Sequence, residues 1–184
     1  MKGNVIKYER DNIDTDVIIP GTYLKIHDYD ELAKHAMEGL DPDFHSKVKD
    51  GDFLLAGKNF GCGSSREHAV WALQEWGIKA VIGTTFGSIF YVNCIGNGLL
   101  PIKLSSDDVQ KLVRFVEEDP ETNQITINLE TLKISYGSSE IIFDFDKNNQ
   151  ILLLEGLDEI QRTLKLKNEI SSFEEKHLGR NPWL

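Results

Sequence analysis

Residues 52–82 constrain the fold most. Asp52-Phe53-Leu54-Leu55-Ala56 is an apolar run of strand length, and Gly57 to Gly63 forms a glycine-rich loop. Residues 66–76 then place Ala69, Ala72, Leu73 and Trp76 on one helical face, before a second apolar run at Lys79-Ala80-Val81-Ile82. Gly77 suits the left-handed position that closes a helix. Two strands joined through a helix run parallel, so this stretch predicts a βαβ unit with a right-handed crossover.

The flanking segments extend the pattern. Asn4 to Tyr8 reads as a strand, followed by the polar loop Asp11-Asn12-Ile13-Asp14-Thr15-Asp16 and a short extended run, Val17-Ile18-Ile19, stopped by Pro20. Asp28 with Glu31 predicts a capped helix carrying Tyr29, Leu32, Ala33 and Ala36 as far as Gly39. Another helix, with Val109, Leu112, Val113 and Val116 in register, ends before Pro120. Beyond it Ile125-Thr126-Ile127, Leu132-Lys133-Ile134 and Ile141-Ile142-Phe143 predict antiparallel strands, and a helical tail follows. The expected class is α/β with three layers: a parallel sheet, a smaller β layer, and helices covering one face. No repeat or linker divides the 184 residues, so residues 1–184 read as one domain.

Charge and cysteine content exclude whole classes of function. With 20 Lys+Arg against 30 Asp+Glu the net charge is 20 − 30 = −10, which disfavours nucleic acid or an anionic membrane as a partner. The two cysteines, Cys62 and Cys94, lie in no disulfide or metal-ligand spacing, as expected of a reducing cytoplasm. Neither a signal-peptide core nor a membrane-spanning run is present, so a cytoplasmic protein is expected.

The chemistry concentrates in Gly57-Lys58-Asn59-Phe60-Gly61-Cys62-Gly63-Ser64-Ser65-Arg66-Glu67-His68-Ala69. Gly61 and Gly63 permit unusual backbone angles and close approach of a ligand. Ser64 with Glu67 matches a capping box, where the helix dipole favours an anion. Arg66 in the first turn would oppose that dipole, which suggests an anionic ligand, since a guanidinium grips a carboxylate through two hydrogen bonds. Dinucleotide, Walker and serine-hydrolase motifs all fail here: Arg66 replaces a required glycine, Asn59 follows Gly57-Lys58, and neither serine is flanked by glycines two residues away on both sides. The plainer alternative is a loop that only turns a corner and caps a helix. The five histidines show no metal-ligand spacing, and no metal is expected on this chain.

The run Asn59 to Ala69 resembles the signature of the 3-isopropylmalate dehydratase small-subunit family, whose members correspond to the swivelling domain of aconitases. Asp11 to Pro20 resembles that family's opening segment, and Tyr23-Leu24 the start of its variable substrate loop. Phe86 to Pro101, Gly156-Leu157-Asp158-Glu159-Ile160 and Pro182-Trp183 extend the likeness over most of the chain. The resemblance implies a swivelling β/β/α fold like the fourth domain of aconitases. It also implies half of a hydro-lyase that interconverts 2-isopropylmalate and 3-isopropylmalate by dehydration and rehydration, in leucine biosynthesis.

Within that family a 4Fe-4S cluster supplies the Lewis acid. Two cysteines cannot hold one, so the cluster is expected on a large iron-sulfur subunit, in a heterodimer or heterotetramer. The resemblance places the catalytic base on Ser64, acting as an alkoxide, and a carboxylate-binding role on Arg66, with Ser65 offering a second contact. Tyr23, Lys25 and Asp16 complete the expected substrate contacts.

Two departures leave the substrate open among small dicarboxylic and tricarboxylic acids. The loop reads Tyr23-Leu24-Lys25-Ile26, where Lys25 either neutralises a distal carboxylate or snorkels to water and leaves Ile26 to an alkyl group. Ser88 and Val92 stand where many relatives carry arginine. Homoaconitase and dimethylmaleate hydratase small subunits are the alternatives within this chemistry, and a non-catalytic carboxylate-binding module is the alternative outside it.

Overall fold

Alternation along four short strands sets the layers. The computed structural model describes residues 1–120, 122–156 and 159–181. Strands β1 (Lys2–Gly3) and β2 (Val5–Tyr8) lead to a single helical turn, α1 (Thr15–Ile18), and a 3-10 turn at Gly21–Tyr23. Helices α2 (Tyr29–Ala33) and α3 (Phe44–Lys47) precede β3 (Phe53–Ala56), α4 (His68–Glu75), β4 (Ala80–Gly83), α5 (Ser88–Asn97) and β5 (Leu100–Lys103). After α6 (Ser106–Glu118) come β6 (Ile125–Asn128), β7 (Lys133–Tyr136) and β8 (Ser139–Ile142), then α7 (Lys147–Glu155), α8 (Glu159–Lys165) and α9 (Lys167–Arg180).

Strands β2-β3-β4-β5 form a parallel sheet in sequence order, with Leu54 opposite Ile6 and Val81. Both faces of this sheet are buried, which is why β3 and β4 read as unbroken apolar runs. Leu54, Ala56 and Val81 join a core with Ile18 of α1, Leu32 of α2, Leu73 of α4 and Phe90 of α5. Their neighbours along the strands, Phe53, Leu55, Ala80 and Ile82, join a second core with Leu112 of α6 and with Ile127, Ile134 and Ile141 of the antiparallel sheet. The expected parallel βαβ part, the antiparallel strands and the three layers are all present.

Four sequence expectations change. The second sheet is not smaller: β1 pairs antiparallel with β6 and brings it to four strands, order β1-β6-β7-β8. Helices do not keep to one face, because α6 buries Val109, Leu112, Val113 and Val116 in the second core. Val17-Ile18-Ile19 is no strand. The Asp14 carboxylate accepts the Val17 amide at 2.8 Å and starts a helical turn, the ordinary action of an aspartate cap. The helix after Asp28 is capped as expected, by Glu31 N–H donating to Asp28 at 2.9 Å, but it stops at Ala33 rather than Gly39. There Met37 takes a left-handed φ of 61° and its amide donates to Ile18 O at 2.8 Å, so tertiary pairing replaces helix continuation. Leu157-Asp158 and Pro182-Trp183 lie outside the described residues. Among the described residues no helix is long and apolar enough to cross a membrane.

The amino-terminal entrance of the parallel sheet depends on one buried carboxylate. Asp52 is 2% exposed, and its oxygens accept from the Asn4 amide at 3.0 Å, the Asn4 side chain at 3.1 Å and the Lys49 amide at 2.9 Å. Removing it leaves these donors without partners, at a cost of about 3 kcal/mol. Urea unfolding of Asp52→Ala should show that loss, while Asp50→Ala, which removes an exposed pair with Lys79 and a bond from the Gly51 backbone, should stay within about 1 kcal/mol of the parent.

Candidate active site

The loops that follow β2, β3 and β4 continue the parallel pairing past the ends of their strands. Asn12 N–H donates to Lys58 O at 2.8 Å, Gly61 N–H to Ile13 O at 2.7 Å and Thr15 N–H to Cys62 O at 2.9 Å. On the other side Phe60 N–H donates to Thr85 O at 3.2 Å, and Gly87 N–H returns to Phe60 O at 2.9 Å. The glycine loop is therefore the middle rung of a ladder at the carboxyl ends of the strands, where open α/β sheets place their ligands. Side chains reinforce it: Asn59 Nδ2 donates to Asn12 Oδ1 at 2.8 Å, and Asn59 N–H donates to Thr85 Oγ1 at 2.8 Å.

Glycine acts here first as a packing residue. Gly61 has φ 70°, and a Cβ on it would come within 2.1 Å of the Phe90 ring. The room expected for a ligand at Gly61 is filled by that buried ring. Gly63 differs: its φ is 87°, it is exposed, and a Cβ would meet Asp14 Cβ at 3.4 Å and Thr15 Oγ1 at 3.9 Å, both ordinary contacts. Close approach to a ligand is left to Gly63.

Ser64 and Ser65 are exposed just beyond it. Buried Thr15 holds this segment from below, its hydroxyl donating to Ser64 O at 3.0 Å. The expected capping box is not made. Glu67 itself is the cap of α4, makes no side-chain cap bond, and instead accepts from Asn97 Nδ2 at 2.8 Å. Helix α4 starts at His68 because residues 64–66 are held to the Asp14–Asp16 segment, so Arg66 precedes the helix rather than lying in its first turn.

Arg66 is held on two sides. Its Nη1 donates to the Asp16 carboxylate, and its guanidinium side chain is 19% exposed against 55% for Asp16. The turn at Gly21 lies against the guanidinium, since a Cβ on Gly21 would be in ordinary contact with it, 3.4 Å from Nη1 and 3.6 Å from Nη2. Ser64, Ser65, Arg66 and Asp16 thus come together on one crest. Tyr23 ends the same 3-10 turn, its ring stacked on His35 at 3.7 Å with an interplanar angle of 8°. Lys25 is exposed and has no ion-pair partner among the described residues, while Ile26 packs against the first core.

Cys94 is buried, and burial pushes its thiol well above the ordinary range; Cys62 is half-buried in the ladder. Two cysteines in these separate settings do not fit an iron-sulfur cluster, which needs three or four convergent thiolates. Of the histidines, His45 bonds Ala33 O at 3.0 Å, His68 packs on Trp71, and His177 stacks on Phe173. A cavity of about 430 Å³ bordered by Met1, Leu100, Ile127 and Leu153 lies at the opposite ends of β4 and β5, away from Ser64 and Arg66. Lys79, Asn128 and Glu130 also border it, but no residue of the glycine-loop motif does, so the crest has the stronger chemical claim.

Sequence reasoning missed Thr15, Gly21 and Gly87 as supports of the site. Asp14-Thr15-Asp16 carried a signal, since a threonine between two aspartates in a loop is suited to local hydrogen bonding. Gly21 and Gly87 carried none beyond their identity. The packing makes a graded prediction for circular dichroism during urea unfolding. Gly61→Ala combines an unfavourable φ with a clash and should cost about 3 kcal/mol or more, whereas Gly63→Ala should cost about 1 kcal/mol.

Known proteins place the same chain. The family described as Aconitase C-terminal domain matches residues 28–107. A 3-isopropylmalate dehydratase small subunit of Pelagibacter ubique is 42% identical over 184 residues, covering 94% of this chain and 89% of the relative. The corresponding small subunit of Rhizobium johnstonii is 44% identical over 185 residues, covering 94% and 91%. In three dimensions the crystal structure of a 3-isopropylmalate dehydratase from Methanocaldococcus jannaschii matches with a TM-score of 0.74 and 39% identity, covering 94% of this chain and 98% of that one. With identities near 40% over almost the whole length and a matching three-dimensional fold, this chain belongs to the family of 3-isopropylmalate dehydratase small subunits.

Proposed function

We propose that this chain is the cytoplasmic small subunit of a 3-isopropylmalate dehydratase, a hydro-lyase of leucine biosynthesis, and that residues 1–184 work as one swivelling domain with a helical tail. The observation that carries this reading is the joint placement of Ser64 and Arg66, one held through its carbonyl by Thr15 and the other oriented by Asp16. The large subunit, expected to carry the 4Fe-4S cluster, would complete the exposed crest in a heterodimer or heterotetramer. Removal of the hydroxyl group belongs to that partner, since the donors of this chain do not fit the cluster.

The remaining task is removal of a proton beside a carboxylate. In the dehydration direction the C–H bond breaks, its electron pair forms the alkene as hydroxide leaves, and the proton passes to Ser64 Oγ. Rehydration at the neighbouring carbon reverses these steps and moves the hydroxyl group. A serine alkoxide is a strong base that needs positive charge nearby, and the Arg66 guanidinium is the cation of this crest. Arg66 also binds the carboxylate next to the reacting carbon, where negative charge develops as the proton departs. Asp16 occupies one edge of the guanidinium and so orients it for an incoming carboxylate on the other. Ser65 and Tyr23 border the acid, and Lys25 lies at the outer end of the loop.

Kinetics of the reconstituted two-chain enzyme test these assignments. Ser64→Ala should lower kcat about a hundredfold to a thousandfold while the two chains still associate, as seen by size-exclusion chromatography. Arg66→Lys, which keeps charge and loses the planar fork, should raise KM and lower kcat/KM about tenfold to a hundredfold. Unchanged turnover in Ser64→Ala would remove that serine from the base role. Unchanged turnover in both would favour a carboxylate-binding module instead.

A further inference from the structure

We infer that His35 and Glu38 are positioning residues that clamp the substrate loop through Tyr23, an assignment that rests on the dehydratase reading above. The loop is made of two consecutive turns with Tyr23 as their shared hinge. Its amide donates to Pro20 O at 3.0 Å, and its carbonyl accepts from Ile26 N–H at 3.0 Å. Fixing this one residue therefore fixes both the turn that lays Gly21 on Arg66 and the turn that carries Lys25.

Three interactions tie Tyr23, His35 and Glu38 to one another. Its ring lies flat on the His35 imidazole, 3.7 Å between centroids and 8° between planes. Glu38 lies close enough to the Tyr23 hydroxyl to raise the phenol's pKa. Glu38 Oε2 in turn lies 3.0 Å from His35 Nδ1, so the stacked ring and the hydroxyl partner are tied to each other. Burial pushes the Glu38 carboxyl up, yet the Tyr23 hydroxyl and the His35 and His45 imidazoles together outweigh it and hold the group below its ordinary range.

The base of the clamp is itself anchored. His35 N–H donates to Leu32 O at 3.0 Å, and buried Met37 donates to Ile18 O at 2.8 Å. Ile18 ends α1, whose cap Asp14 lies in the ladder beside the glycine loop. A closed ring of contacts thus runs from Asp14 through α1, Met37, Glu38, His35, Tyr23 and Gly21 to Arg66 and Asp16. None of these contacts places His35 or Glu38 against the reacting carbon, so their effect should fall on substrate fit.

The test uses the complex of this chain with its large iron-sulfur subunit. His35→Ala should raise KM for 2-isopropylmalate about threefold to thirtyfold and leave kcat within about threefold. It should also narrow the preference for 2-isopropylmalate over a malate bearing a methyl group in place of the isopropyl. His35→Phe, which retains a ring for stacking, should recover part of the loss, and Tyr23→Phe should raise KM about threefold. Wild-type turnover with unchanged KM and preference in all three variants overturns the clamp alone, as does a fall in kcat at constant KM. If the wild-type complex does not turn over 2-isopropylmalate at all, the clamp and the dehydratase reading fall together.

Discussion

Gly61 gives its amide to Ile13, receives the backbone of Gly87 against its own carbonyl, and leaves no side chain in the way of Phe90. A Cβ on Gly87 would come within 2.3 Å of Gly61 O, so the two loops touch backbone to backbone. This contact, repeated by Asn12, Thr15 and Phe60, extends the parallel ladder beyond the regular strands. It satisfies loop amides that would otherwise need water, and it gives the crest the rigidity of a sheet. Ser64 and Arg66 inherit their positions from it, and a loop held this way can keep exposed polar side chains in fixed geometry.

The two cores divide the labour. One lies under the crest and is shared by α1, α2, α4 and α5, with Phe60, Phe86 and Phe90 gathered directly beneath the ladder. The other joins the parallel sheet to the antiparallel sheet and α6. Helices α8 and α9 stand apart from both, and Leu164, Ile170 and Phe173 remain exposed on them. Loss of a contact in the first core should therefore be felt at the site before it is felt in the second.

Much of this was legible in the residues. Apolar runs at 53–56 and 80–83 announced a doubly covered parallel sheet, and the spacing of Val109, Leu112, Val113 and Val116 announced α6. The loop from Asn59 to Ala69 announced Ser64 and Arg66 by resemblance. What failed did so because a cap or a tertiary contact overrode the local pattern. Val17-Ile18-Ile19 has the β-branched composition of a strand, but Asp14 caps the chain into a turn there. Ser64 and Glu67 have the spacing of a capping box, but Thr15 and Asp16 hold residues 64–66 away from the helix. The partners of Tyr23 were invisible because His35 and Glu38 lie in the turns that follow the early end of α2 at Ala33.

On the proposed reading the crest is chemically half a site: Ser64 would be its base and Arg66 its carboxylate anchor on an exposed surface, and the two cysteines do not fit a cluster. Its meaning depends on what covers it. The most direct measurement is the rate of 2-isopropylmalate conversion, followed anaerobically by the absorbance of the unsaturated acid, as this chain is titrated into the proposed large iron-sulfur subunit. The account predicts negligible turnover by either chain alone and a rate that rises to a plateau at a fixed ratio of the two. Full turnover by the large subunit without this chain would contradict it.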